Sequence, residues 1–436
     1  MKVGVLGFGT VAEATVRKFI ENREVIATKT STEIEIVAVA ARSVARAAGR
    51  VPHGCTISAD CWEVVNDSRI DVVIELIGGV AAARELVLRA IANGKHVITA
   101  NKALLAMHGE EIMQLAEQRR VCVLFEGAVA VSIPIVKTLK ESAAANRVTS
   151  VVGILNGTSN YILSRMSEQG ASFSDALADA QKKGYAEADP SMDIEGIDAA
   201  HKIALLSSLA FGVPVDFEAV QYRGITGIAR EDIDLANEMG YALRQIAQAQ
   251  LQDNRIYTSV ATTLVPASSM LAQVRSSMNG IELIGDLFGR AFFYGSGAGG
   301  VQTASAILAD LIELARREKD GEYANAFNMG FRRTTIERKE TMHTDDRSSR
   351  FYLRIRFEDA IGVLANVSAT LADADISLSR LCQNDGVGAI TDVVAVTHAV
   401  SWRRLRSILP KLQRLMGRDY EVVVYPVLDE PTEVTV

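Results

Sequence analysis

The chain opens on an apolar strand that runs directly into a glycine turn and then a helix. Val3-Gly4-Val5-Leu6 leads into Gly7-Phe8-Gly9-Thr10-Val11-Ala12, and a helical pattern follows through Ile20. Glycines at 7 and 9 permit a tight turn and let the backbone approach a pyrophosphate at the helix N-terminus. Ala12 takes the third small position, where close helix-to-strand packing is required. Alone, such a turn is weak evidence; its place between strand and helix supplies the context the motif demands. Apolar runs at Ile36–Ala40, Val72–Leu76, Val97–Thr99 and Val121–Phe125 continue the alternation. This rhythm predicts an α/β fold built on a Rossmann-type doubly wound parallel sheet. Its dinucleotide would lie on the backbone of Gly7, Phe8, Gly9, Thr10 and Val11.

The second strand ends at Ala40-Ala41-Arg42-Ser43, with no acidic residue to hold ribose hydroxyls. An arginine there can pair with a 2′-phosphate instead, which favours NADP over NAD. Arg42, Arg46 and Arg50 would also share one helical face, so a solvated basic stripe is the competing reading. The insertion from Glu21 to Glu35 lengthens the first crossover and loosens the position of Arg42.

At 436 residues two or three domains are expected. A net charge of -7 argues against a nucleic-acid partner, whose footprint would be basic. Cys55, Cys61, Cys122 and Cys382 make no Cys-x-x-Cys pair, so neither a disulfide framework nor a structural zinc is expected. The opening strand leaves no room for a signal peptide, and no apolar run reaches membrane-spanning length. A reducing cytoplasm is the expected location.

The richest chemistry lies between Gly184 and Lys202. Several carboxylates, including Glu187, Asp193 and Asp198, precede a lysine at the mouth of an apolar helix that Gly212 and Pro214 close. Asp198 and Lys202 are four apart and share a helix face. A lysine beside carboxylates at a buried helix mouth can have its proton affinity tuned for acid/base work on an alcohol. By spacing alone, an ordinary solvated ion pair is the more frequent meaning.

The ordered set of segments changes that balance. The glycine turn, Glu75-Leu76-Ile77-Gly78-Gly79, Thr99-Ala100-Asn101-Lys102, Asn156-Gly157-Thr158-Ser159-Asn160, the Gly184–Lys202 segment and Gly295-Ser296-Gly297-Ala298-Gly299-Gly300 occur in sequence. In this arrangement the chain resembles homoserine dehydrogenase, in the longer bacterial form that ends in an ACT domain. The resemblance implies reversible hydride transfer between NAD(P)H and aspartate 4-semialdehyde, giving homoserine for threonine, methionine and isoleucine biosynthesis. It makes Lys202 the acid/base and Lys102 a second lysine near substrate and nicotinamide. Glu187, Asp193, Asp198 and Thr158 would border the substrate, and Gly184 and Gly299 would close on the cofactor. It further implies a sodium or other monovalent-cation loop with Glu126 and the carbonyls of Val129, Val131 and Ile133 as ligands. The family usually has glycines near Val131 and Ser132, and more often His-Pro where this chain has Ser268-Ser269-Met270.

Residues 1–133, rejoined by 303–318, are expected to bind the dinucleotide, and 134–302 to form an α/β substrate and dimerisation domain. Strands are expected at Val148–Leu155 and Ile256–Val265, and amphipathic helices at Phe173–Lys183 and Asp232–Gln250. Residues 319–349 read as a polar linker. From 350 to 430 the pattern predicts a βαββαβ module, with Pro410 kinking its second helix. It resembles an ACT domain in which Ile361 replaces the usual proline. The resemblance places an amino-acid effector, threonine in first place, at Asp359, Gly362 and Asn366, and implies a homodimer or homotetramer. Two alternatives stand beside this reading: a dehydrogenase of another hydroxy amino acid, and a catalytically silent amino-acid and nucleotide sensor.

Overall fold

A computed structural model describes residues 1–320, 328–358, 360–384, 390–416 and 422–429. Six parallel strands form the first sheet: β1 (Lys2–Leu6), β2 (Glu35–Ala40), β3 (Thr56–Ser58), β4 (Val72–Glu75), β5 (His96–Thr99) and β6 (Val123–Leu124). Their order is β3-β2-β1-β4-β5-β6, so the direction of winding reverses between β1 and β4. Successive residues serve opposite cores. Val72 and Ile74 join the cluster of Val3, Val5 and Ile36, while Val73 and Val97 join that of Leu6 and Ala40. A strand covered on both faces needs apolar residues at every position, which is why these segments read as continuous runs.

The helix Gly300–Asp320 returns to this domain, setting Ile307, Leu311 and Leu314 into the core beneath β1. Its start abuts the first helix, Thr10–Glu21: a Cβ on Gly300 would lie 3.2 Å from Thr10 Cγ2.

The second sheet is mixed. It takes β7 (Val148–Ile154), the short β8 (Gln221–Tyr222), β9 (Tyr241–Gln252), β10 (Arg255–Pro266), β11 (Met278–Gly285), β12 (Gly289–Ser296) and the short β13 (Glu340–Thr341). It then continues into the C-terminal module with β14 (Ser348–Glu358), β15 (Leu378–Asn384), β16 (Ile390–Thr397) and β18 (Val422–Val427); the short β17 (Val400–Ser401) pairs with β14. The main path runs β12-β11-β7-β9-β10-β18-β14-β16-β15. Within the module, helices Val363–Ala372 and Trp402–Met416 complete the βαββαβ order, with Pro410 inside the second.

Two expectations are corrected. The helix expected over Asp232–Gln250 is a helix at Arg230–Glu238 followed by β9, with Gly240 at φ +80° between them. β9 lies between β7 and β10 and is buried on both faces from Leu243 to Ala249, so its spacing of Leu243, Ile246 and Ala247 imitates a helical stripe. The stretch expected as a linker is, over residues 328–347, packed against the two preceding domains. Met329 and Met342 are buried, Asn328 Oδ1 accepts the Val123 N–H at 2.9 Å, and β13 pairs with β10.

The module also shares a core with the substrate domain. Tyr352, Val394, Val396 and Tyr425 cluster with Tyr161, Ala186, Ile225 and Ile233. Arg354 donates to both carboxylate oxygens of Asp232, at 2.5 and 3.2 Å, and both residues are buried.

Candidate active site

At the end of β1 the chain turns through Gly7, whose φ is +95°. A Cβ there would meet the Leu76 carbonyl oxygen at 2.7 Å, so only glycine fits. Beyond it the helix Thr10–Glu21 begins at Gly9 without a side-chain cap, leaving first-turn N–H groups for an anion. Gly299, at φ +128°, precedes the returning helix whose Gly300 touches Thr10. Thus the structure brings the Gly7–Val11 turn and Gly299 to one edge.

Arg42 lies just past β2, exposed and without an ion pair among the described residues. Arg46 and Arg50 both pair with Glu13, at 2.9 and 2.7 Å. The three-arginine stripe of the competing reading is therefore divided, because the helix beside it covers only Val44–Ala47. These features suit a phosphorylated dinucleotide: open space at Gly9, an uncapped helix start and an unpaired guanidinium at the second strand end.

Across the cleft, the helix Ile197–Phe211 starts after Gly196 and buries Asp198 and Lys202 in its first two turns. Asp198 is the hub. Its Oδ2 accepts from Lys202 Nζ at 2.7 Å and Asn156 Nδ2 at 2.8 Å, while Oδ1 meets Lys102 Nζ at 2.8 Å. Lys202 also donates to the Leu155 carbonyl at 2.6 Å, which leaves one of its three N–H groups uncommitted. Lys102 opens the helix Lys102–Arg119 of the nucleotide domain, so its contact with Asp198 joins the two domains.

The electrostatics separate the two lysines. Burial lowers the proton affinity of Lys202, and the charge of Lys102 adds to this; Asp198 opposes both, and the net shift is downward. Lys102, about a third exposed, is held upward chiefly by Asp198, with Asp193 and Glu187 assisting. For Asp198 burial acts upward, yet the two ammonium groups win and keep it ionised. Asp193 shifts upward through burial and the neighbouring Asp198 charge, although its Oδ1 accepts from Asn156 Nδ2 at 2.7 Å.

Thr158 donates to the Tyr185 carbonyl at 2.8 Å and so ties the Asn156–Asn160 loop to the segment after Gly184. Glu187 is exposed on that segment, and Gly184 has φ +74° at the end of the helix Phe173–Lys182. The residue the sequence left without a role is Asn156. Its Oδ1 caps the helix Gly157–Gln169 through Ser159 N–H, while its Nδ2 bridges Asp193 and Asp198. An asparagine before a helix is explained by capping alone, so the bridge carries no sequence signal.

In the expected cation loop Glu126 is buried and accepts from the Val136 and Lys137 N–H groups at 3.1 and 2.8 Å. The Ile133 carbonyl accepts from Ile135 N–H at 2.7 Å. Neither Val131 nor Ser132 has positive φ; Ala130 takes the left-handed conformation, at φ +50°. Ser269, where the family more often carries His-Pro, caps a short turn through Leu271 N–H. In the expected effector loop Gly362 has φ +90° and Asn366 is exposed, whereas Asp359 lies outside the described residues.

The fold and the site together define a nicotinamide-dependent oxidoreductase with a lysine–carboxylate centre between a dinucleotide domain and a second α/β domain. Residues 7–126 match the family model described as homoserine dehydrogenase, NAD binding domain, and residues 134–312 match that of homoserine dehydrogenase. The homoserine dehydrogenase of Neisseria gonorrhoeae is 40% identical over 95% of this chain and 95% of its own length. A crystal structure of a homoserine dehydrogenase from Thiobacillus denitrificans is 39% identical, covers 98% of each chain and superposes with a TM-score of 0.93. A hyperthermophilic archaeal homoserine dehydrogenase in complex with NADPH is 25% identical, covers 73% of this chain and 98% of that one, and has a TM-score of 0.60. The chain belongs to the homoserine dehydrogenase family. It is an oxidoreductase of amino-acid biosynthesis that interconverts homoserine and aspartate 4-semialdehyde with a nicotinamide cofactor.

Proposed function

We propose that the enzyme uses NADP in preference to NAD, with Lys202 as the acid/base and Lys102 as a permanent cation of the substrate pocket. The observation that carries the assignment of roles is the single carboxylate, Asp198, that holds both ammonium groups at contact distance. When bound, the nicotinamide supplies the two-electron donor or acceptor. Lys202 exchanges a proton with the substrate hydroxyl: its remaining N–H donates to the developing alkoxide in reduction, and its neutral form takes the hydroxyl proton in oxidation. Burial and Lys102 make that neutral form accessible. Asp193 and Glu187, with Asp198 between the lysines, receive the substrate ammonium, and Thr158 supports the same wall beside Asp193 and Tyr185.

For the cofactor, the support is Arg42, exposed at the end of β2 while Arg46 and Arg50 are both paired with Glu13. The NADPH seen with the archaeal relative is consistent with this. A monovalent cation such as sodium belongs to the same reading, held by Glu126 and the carbonyls of Val129, Val131 and Ile133. So do threonine as the effector at the Gly362–Asn366 loop, a homodimer or homotetramer as the assembly, and a cytoplasmic location. No described helix is long and apolar enough to cross a membrane.

The test is Lys202→Ala. Turnover should fall by about 10²-fold or more, the scale for losing a positioned acid/base, while NADP affinity stays near wild type. A folded variant with wild-type turnover would remove Lys202 from this role.

A further inference from the structure

Glu75 ends β4 and Thr99 ends β5, and the two are register partners in adjacent strands. Both are fully buried. Glu75 has no ion pair among the described residues, and burial pushes its carboxyl group up. A carboxylate placed there is costly unless its oxygens are matched by donors. Oε1 accepts from Ile77 N–H at 3.0 Å, and Oε2 accepts from the Thr99 hydroxyl at 2.6 Å. Thr99 Oγ1 in turn accepts from Asn101 N–H at 3.0 Å.

Asn101 is thereby held at three points, and its side chain also interacts with the Glu75 carboxylate itself. Besides that N–H, its Oδ1 caps the following helix through Leu104 N–H at 3.1 Å, and its Nδ2 donates to the Gly79 carbonyl at 2.6 Å. The next residue is Lys102, whose Nζ crosses the cleft to Asp198 at 2.8 Å. The ends of β1 and β2, by contrast, are the apolar Leu6 and Ala40. At β4 and β5 the expensive polar group stands where a lysine is aimed from the helix that starts three residues after Thr99.

We propose that Thr99, with Glu75 behind it, is a positioning residue for the reaction: it fixes Asn101 and so the origin of the Lys102 side chain. Two backbone loops, 76–79 and 99–102, are tied to each other twice: by the Thr99 hydroxyl acting through Glu75, and by the Asn101 amide at the Gly79 carbonyl. Losing the hydroxyl removes the first of these ties and loosens the start of the helix that carries Lys102. The inference rests on the role assigned to Lys102.

The test is a set of variants on the full chain. Thr99→Val keeps the volume but removes both hydrogen bonds, and Thr99→Ser keeps the hydroxyl. Thr99→Val should lower kcat by about tenfold or more and change NADP affinity by less than about threefold, and Thr99→Ser should restore most of the rate. If Thr99 acts through Lys102, Thr99→Val should cost little further in a Lys102→Ala background. Should Thr99→Val fail to fold, Asn101→Ser, which keeps a cap but cannot reach Gly79, takes its place with the same expected losses. Wild-type kcat in the substituted enzyme, or an equal loss with and without Lys102, would overturn the inference. Lys102→Ala with full turnover would instead remove the role of Lys102 itself, and the two failures are told apart by that single measurement.

Discussion

Replacing Asp198 by Asn tests the electrostatic account of the site most directly. The carboxylate accepts from Lys202, Lys102 and Asn156 at 2.7–2.8 Å, and it is 5% exposed. An amide of the same shape has one acceptor oxygen, so its NH₂ must face at least one of these donors. The charge is lost as well. An opposite charge at such range moves a partner's proton affinity by roughly 1–3 pH units. Asp198 is what raises Lys202 against burial and Lys102, so its removal must lower Lys202 further. The sign is then fixed for each direction. The neutral base needed for homoserine oxidation appears at lower pH, so the ascending limb of kcat shifts to lower pH by about 1–3 units. The protonated acid needed for reduction is lost over the same interval. Turnover at the optimum should fall by about 10²-fold from misplacement of both lysines. The assay is kcat against pH in both directions, followed by nicotinamide absorbance. An unshifted limb, or one moved to higher pH, would refute the assignment of Lys202 as the titrating group.

Arg42→Ala should weaken NADP by about 10–100-fold while leaving NAD nearly unchanged, because one charge-assisted phosphate contact is lost; equal losses in titrations with both cofactors would make Arg42 structural. Arg354→Ala should destabilise the folded chain by about 3–5 kcal/mol in urea denaturation, since it strands a buried Asp232; a loss below about 1 kcal/mol would mean that water reaches the carboxylate. Deleting residues 319–436 should abolish any response of the rate to threonine, and a retained response would place the effector in the catalytic part. The same deletion should also lower the denaturation midpoint, because it uncovers the cluster around Tyr161 and Ile233 and removes the partner of Asp232.

How much of this was legible depended on whether one segment could carry its own signal. The parallel sheet was, because Val72–Glu75 and its companions are short apolar runs closed by glycines or helix starts. The pairing of Asp198 with Lys202 was, because spacing on one helix fixes it. β9 was not: in a strand buried on both faces by its neighbours, Arg244, Gln245 and Gln248 can be inside, and alternation disappears. Residues 328–347 misled for a related reason. Their composition is that of a solvated connection, yet a few anchors such as Met329 and Met342 dock them. Glu75 and Asn156 matter through partners far away in sequence, which no local pattern records.

The continuity of the second sheet bears on how the protein is made. β18 stands between β10 and β14, meeting the first at Leu264 opposite Val427, with Leu428 N–H donating to the Leu264 carbonyl at 2.8 Å. Among the described strands it is also the last in chain order. Until it emerges, β10 has only the short β8 and β13 on that side, its Leu264 end is unpaired there, and β14 lacks one of its neighbours. An unpaired strand flanked by apolar residues is a template for pairing with another chain. Translation therefore leaves an open seam in the middle of the sheet during elongation, the interval in which a growing chain is exposed to aggregation. β18 closes it, joining the catalytic part to the C-terminal module.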